Sequence, residues 1–205
     1  MRQSSPAALR NREPIREVLA PLLPAQGRVL EVPCGTGVHS AWLSAAFPGL
    51  EWLPADLSDE ALLSTGHWRD EGGPLLREPV RLDVTQRPWG LGDFDAVIAI
   101  NLIHAAPPEV TPGLLLGAAE SLRPGGILYL YGPYRESGVT APSNEVFERD
   151  YLRQRDPSWG LRELDEVRDR AAAAGFVFEK RVQMPANNLS VVFRRTDAPH
   201  SLDVR

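Results

Sequence analysis

GRVLEVPCGTGVHSAWLSAAF, residues 27–47, decides how the rest of the chain is read. The apolar run Gly27 to Val32 meets a glycine turn at Cys34-Gly35-Thr36-Gly37. It then passes into a segment with Trp42, Leu43 and Phe47 on one side, which is strand, tight turn and helix in succession. The next run, LEWLPAD (50–56), is a second strand ending in an acid. SDEALLSTGHWRDE (58–71) follows as a helix capped by Ser58, with acids in its first turn. A βαβα unit of this kind requires parallel strands, because the crossover helix returns the chain to the same edge.

Working outward, VRLDV (80–84) is a short strand, and FDAVIAINLIH (94–104) is an almost unbroken apolar run that suits a strand buried on both faces. A helix over 109–122 stops at Arg123-Pro124-Gly125-Gly126, and ILYLYG (127–132) makes the next strand. A helix over 161–174 stops at Gly175. FVFEKRVQM (176–184) and LSVVFRR (189–195) then alternate as an antiparallel pair joined by Pro-Ala-Asn-Asn. The expected fold class is α/β, with a mostly parallel seven-stranded sheet, helices on both faces and an antiparallel last strand. Two segments stand outside the repeat: an N-terminal helix over 6–22, capped by Ser5 and liable to a kink at Pro14, and an insertion over 133–160. Ligands of open α/β sheets bind beyond the carboxyl ends of the strands, so these segments are expected to form a lid there. Residues 197–205 read as a loose tail.

The composition narrows the function. A length of 205 residues suits a single domain, 1–205, and a net charge of −5 supplies no global field for nucleic acid or anionic lipid. One cysteine, Cys34, excludes an intrachain disulfide and suits a cytoplasmic, reducing compartment. No run approaches the roughly 20 apolar residues of a membrane helix. His39, His67, His104 and His200 lie on separate elements without ligand spacing, so no metal site is expected. The expected partner is a small-molecule substrate, with no nucleic acid and no membrane; composition leaves the oligomeric state open.

The ligand of the cleft follows from spacing. Glycines admit a ligand close to the backbone, and an acid some 20 residues further on accepts from ribose hydroxyls; Asp56 stands 25 positions after Glu31. This constellation points to a nucleoside. The dinucleotide fingerprint wants a small apolar residue or glycine where Ser40 stands, and it does not want Glu31 before the turn. Both weigh against a nicotinamide cofactor.

An acid followed by G-x-G after the first strand, together with a terminal antiparallel strand, resembles the class I S-adenosylmethionine (SAM) dependent methyltransferases. More closely, the phrases SPAALRNREPI, LEVPCGTGVH, RLDVTQRPW, INLIH, LYGPYR, APSN, RDPSWGLRELDEV and MPANNLS resemble the methyltransferase-like protein 26 family. The resemblance implies a Rossmann-like methyltransferase fold, with SAM as cofactor and S-adenosylhomocysteine (SAH) as product. It further implies that Gly35, Thr36 and Gly37 line the methionine and ribose portions, that Asp56 holds the ribose, and that Asp83 and Val84 meet the adenine. Glu31 orients the turn, and Arg12 pairs with the methionine carboxylate if the N-terminal helix folds over the cofactor.

Methyl transfer from a sulfonium chiefly needs alignment and water exclusion, sometimes with a base. Asn101 and His104 end the fourth strand, where the methyl group would point. His104 is the candidate base, and Asn101 serves on both the cofactor and the catalytic side. Tyr131 and Tyr134 flank Gly132-Pro133, and Tyr134 is the candidate catalytic hydroxyl. Asn187 and Asn188 read first as turn residues. Three activities remain open: methyl transfer to a small acceptor, a non-catalytic SAM/SAH-binding module or partner-dependent subunit, and a nicotinamide oxidoreductase.

Overall fold

The computed structural model describes residues 1–196; the expected tail at 197–205 and His200 lie outside the described residues. Seven strands form one sheet: β1 (Gly27–Glu31), β2 (Leu50–Asp56), β3 (Val80–Arg81), β4 (Phe94–Ile100), β5 (Leu122–Gly132), β6 (Phe176–Met184) and β7 (Asn188–Arg195). Their order is β3-β2-β1-β4-β5-β7-β6. All the pairs from β3 to β5 are parallel, whereas β7 runs antiparallel to both β5 and β6.

Alternation along β5 separates the two faces. Leu128 and Leu130 join the cluster under α4 (Val110–Ser121) and α6 (Leu164–Ala173), with Leu114, Ala118, Val167 and Ala171. Ile127, Tyr129 and Tyr131 join the other cluster, under α1 (Pro6–Leu19) and α2 (Val38–Ala46), with Ile15, Leu19, Leu43 and Trp52. Helices therefore cover both faces, as period-two burial in the middle of a sheet demands.

Several boundaries differ from the sequence reading, each for a local reason. The first helix passes through Pro14 unbroken and ends at Leu19, not at residue 22, because the N–H groups of Leu22 and Leu23 both turn back to the Leu19 carbonyl. The 58–71 segment is two pieces, α3 (Asp59–Gly66) and a 3-10 turn (Arg69–Glu71). The third strand stops at Arg81, and Asp83 then folds the chain into a turn: its Oδ1 accepts from the backbone N–H and the hydroxyl of Thr85, at 2.9 and 2.7 Å. The fourth strand stops at Ile100 because Asn101 adopts a left-handed φ of 57°. The helix expected from 161 begins at Leu164; Arg162–Glu163 instead pair in parallel with Tyr134–Arg135.

Within the 133–160 insertion, α5 (Pro142–Phe147) runs into a π-helical turn, Glu148–Leu152. The buried Glu148 carboxylate accepts from Arg135 and from Arg153, which ties this turn back to the chain leaving β5.

Candidate active site

Two cavities open beyond the carboxyl ends of β1, β4 and β5. The smaller, about 210 Å³, is walled by Pro33, Cys34, Gly35 and Thr36 of the glycine turn and by Ser5, Ala7 and Ala8 of the first turn of α1. The larger, about 680 Å³, is walled by the chain after β4, by Tyr131 and Pro133, by the α5 segment and by the Ala186–Asn188 turn. Both share Ser5, Ala7 and Asn101, so they meet at the end of β4.

The turn after β1 is built by its neighbours. Asp56 ends β2 with both carboxylate oxygens at work: Oδ2 accepts from the Gly35 N–H and Oδ1 from the Ser58 N–H, each at 2.9 Å. The Thr36 carbonyl accepts from the Ser64 hydroxyl at 2.8 Å, which fixes the turn to α3. Gly35 faces open space, since a Cβ built there meets no atom within 4 Å. Gly37 does not share that role. At φ 87° its missing Cβ lies 2.7 Å from Thr65 Cα and 2.8 Å from the Trp68 ring, so it is glycine for packing against α3.

Glu31, at the end of β1, is fully buried. Its Oε2 accepts from Trp52 Nε1 at 2.6 Å, while Oε1 has no hydrogen-bond partner. Burial pushes its carboxyl up to about 7, against the opposing pull of the Trp52 and Ser40 side chains. Beyond β3, the Asp83 side chain is committed through Oδ1 to its own turn. The Val84 N–H donates to no protein acceptor among the described residues.

Asn101 and His104 both line the cavities. Asn101 lines both, and its left-handed backbone is held by its N–H donating to the Tyr131 carbonyl at 2.8 Å. His104 lines only the larger. Its ring lies so close to Gly132 that a Cβ there would fall 2.7 Å from Nδ1, and Nδ1 is buried without a partner. Burial first, and the Arg162 charge second, push the imidazole down to about 3, so it is neutral near pH 7. Arg162 holds this segment in place by donating to the carbonyls of Ile103 and Ala106, at 3.0 and 2.7 Å.

Glu31, Gly37, Asp56, Asp83 and Val84 lie behind or beside the cavities and line neither, and two further expected residues stand elsewhere. Tyr134 is buried in the apolar cluster of the α4–α6 face and does not line either cavity; Tyr131 lines the larger one. The residues alternate across the chain leaving β5, so only one of the two tyrosines can face the cleft. Arg12 also lies away from the cavity walls, its guanidinium 4.1 Å from the Trp42 ring centre. Its neighbour Asn11 lies at the site instead, its Oδ1 2.7 Å from the His39 ring nitrogen.

Phe147, Tyr151 and Leu152 from the insertion also reach the larger cavity and were not read as site residues from the sequence. Their signal was an aromatic and apolar spacing inside a charged run. Asn187 closes the short turn after β6 and Asn188 begins β7, and both wall the cavity; Ala186 and Asn187 hold left-handed φ values, 57° and 56°. Among the described residues, no group of three or more His, Cys, Asp and Glu side chains is placed to hold a metal ion. No helix there is long and apolar enough to cross a membrane.

Residues 2–195 match the family described as "Protein of unknown function (DUF938)". The chain belongs to this family. Over 165 residues the DUF938 chain is 32% identical to an uncharacterized protein of Synechococcus sp., a match that covers 78% of this chain and 36% of that protein. Among solved structures, it is similar to an O-methyltransferase family protein from Burkholderia thailandensis, with TM-score 0.75 and 18% identity, over 94% of this chain and 58% of that one. It is also similar to CalO1, a methyltransferase in calicheamicin biosynthesis solved in its SAH-bound form, with TM-score 0.68 and 16% identity, over 93% and 54% of the two chains. The DUF938 chain thus spans about a third of its Synechococcus relative and just over half of these two structures. At these identities the structural likeness establishes a shared Rossmann-like methyltransferase fold.

Proposed function

We propose that this chain is a SAM-dependent methyltransferase acting on a small-molecule acceptor, within the group that resembles the methyltransferase-like protein 26 family. The observation that carries the reading is the pair of cavities meeting at Asn101, one walled by the glycine turn and the other by the insertion and His104. A donor and an acceptor held on either side of one residue is the arrangement an in-line displacement needs.

The residues fit the cofactor. Gly35 leaves the turn open, Glu31 Oε1 is a buried acceptor in want of a donor, and the Val84 N–H is free to meet a ring nitrogen. Asp56 fixes the Gly35 amide and retains lone pairs for ribose hydroxyls. When bound, SAM supplies a methyl group already activated by its sulfonium. α1 lines both cavities and the insertion lines the larger one, so these segments limit the access of water to the reacting atoms. Asn101 orients the acceptor where they join, and neutral His104 accepts its proton. An imidazole held down near 3 is a weak base. It therefore takes the proton late, when the attacking oxygen or nitrogen has given up its electron pair and its own proton has become strongly acidic.

Calorimetric titration with SAM, SAH and NADH tests the cofactor. SAM and SAH are expected to bind and NADH is not; binding of NADH alone, or of none of the three, overturns the reading. Asp56→Ala is expected to weaken SAH about 10- to 100-fold, the scale of a lost charged hydrogen bond, because it removes the ribose acceptor and frees the Gly35 amide. Unchanged SAH affinity in a folded Asp56→Ala protein removes Asp56 from the site.

A further inference from the structure

The charges around the larger cavity run against those of the chain as a whole. The chain carries a net −5, yet among the described residues no Asp or Glu lines this cavity. The lining residue with a formal charge is Arg10, on α1. Most other arginines of the molecule end in carboxylates, whereas Arg10 has no ion-pair partner among the described residues. Its charge instead reaches the Tyr131 hydroxyl in the cavity wall. Burial raises the pKa of that hydroxyl, while the Asn11 side chain and the Arg10 charge pull it down.

Behind the wall, two arginines carry the same sign. Arg155 lies 3.4 Å from the centre of the Tyr151 ring, and Arg162 sits beside the His104 segment. Of the carboxylates in the insertion, the buried one, Glu148, is engaged by Arg135 and Arg153. Asp150 points its charge into Arg149. His104 itself is neutral. Without a carboxylate in its own wall, such a cavity repels a protonated amine and attracts an anion.

Its shape comes from rings. Phe147 and Tyr151 stack with centroids 5.0 Å apart at 21°, and Phe147 meets the edge of His104 at 6.2 Å. A flat apolar body packs well against such faces, and about 680 Å³ is room for a molecule of one or two rings. We propose that this cavity takes a small planar acceptor bearing a carboxylate, with Arg10 as the residue that binds that carboxylate. The proposal rests on the reading of the larger cavity as the acceptor side.

Benzoate, benzyl alcohol and benzylamine share one ring and differ in charge, so they serve as probes. Each is titrated by calorimetry into the full chain, with and without saturating SAH. Benzoate is expected to bind about ten-fold tighter than benzyl alcohol, the scale of one charge-assisted contact, and benzylamine is expected to bind weakest. Arg10→Gln should erase the advantage of benzoate and leave benzyl alcohol and SAH unchanged, while Arg10→Lys keeps part of it. Arg10 is exposed on the helix surface, so both variants are expected to fold, and an unchanged thermal transition checks this. Benzylamine binding as tightly as benzoate, benzoate binding equally to the Arg10→Gln protein, or no detectable benzoate binding would each overturn the proposal. The SAH titration is a separate readout. Loss of SAH binding with the benzoate preference intact strikes only the cofactor assignment, and the reverse pattern strikes only the carboxylate site.

Discussion

Gly37→Ala is expected to destabilise the chain by about 2–4 kcal/mol and to abolish most of its SAH affinity. Two costs add. An L-residue at φ 87° pays for a left-handed backbone, and the new methyl group would lie 2.7 Å from Thr65 Cα, an atom that moves only if α3 moves. Displacing α3 disturbs the Ser64 hydroxyl that holds the Thr36 carbonyl, so the glycine turn loosens with it. Urea denaturation measures the first effect and calorimetry the second. A Gly37→Ala protein with wild-type stability would show that α3 yields freely at this point.

Glu31→Gln is expected to act in opposite directions on stability and on binding. In the folded chain burial raises the Glu31 carboxyl from its ordinary 4.5 to about 7. The native state therefore keeps a proton that the unfolded chain has already released. Between those two values stability falls as pH rises, and above about 7 the loss is complete, amounting to roughly 3 kcal/mol. Glutamine cannot ionise and still accepts from Trp52 Nε1 through its amide oxygen. The variant should lack this part of the pH dependence and be about 2–3 kcal/mol more stable at pH 8. Its SAH affinity should drop about ten-fold or more, because an amide offers the ligand's ammonium no charge. Urea midpoints at pH 5 and pH 8, measured for both proteins, decide the first part. An equal pH difference in the two would mean that Glu31 ionises without penalty. If the variant gains stability and loses binding, the buried acid is kept for a ligand rather than for the fold.

The parts of the site that were legible in the sequence lie where local chemistry leaves little choice. The G-x-G turn, the acid ending β2, and Asn101 and His104 after an apolar strand are all tied to strand ends. A strand end in a parallel sheet has a known side, so position along the chain implies position in space. Asp83 shows the limit of this logic. It stands where an adenine acceptor was expected, yet one of its oxygens caps its own turn through Thr85. Tyr134 shows another limit. Only Pro133 separates it from Gly132, and which face each residue takes depends on the short pairing of Tyr134–Arg135 with Arg162–Glu163. That contact joins positions 28 apart and leaves no trace in either segment alone.

By itself the sequence determined the α/β class, the antiparallel strand at the end, the glycine turn and the acids before and after it. These follow from periodicity, turn chemistry and the forced handedness of parallel crossovers, all of which act over short stretches of chain. Only the tertiary structure decided that α1 supplies Asn11 and Arg10 rather than Arg12 to the cavities. It likewise decided that the insertion brings Phe147 and Tyr151 over His104, and that Gly37 is held by packing rather than by a ligand. Those outcomes depend on which face of a helix finds an apolar partner and on contacts between residues far apart in sequence. A side chain's burial, and with it the pKa of Glu31 or His104, is set by all the neighbours at once.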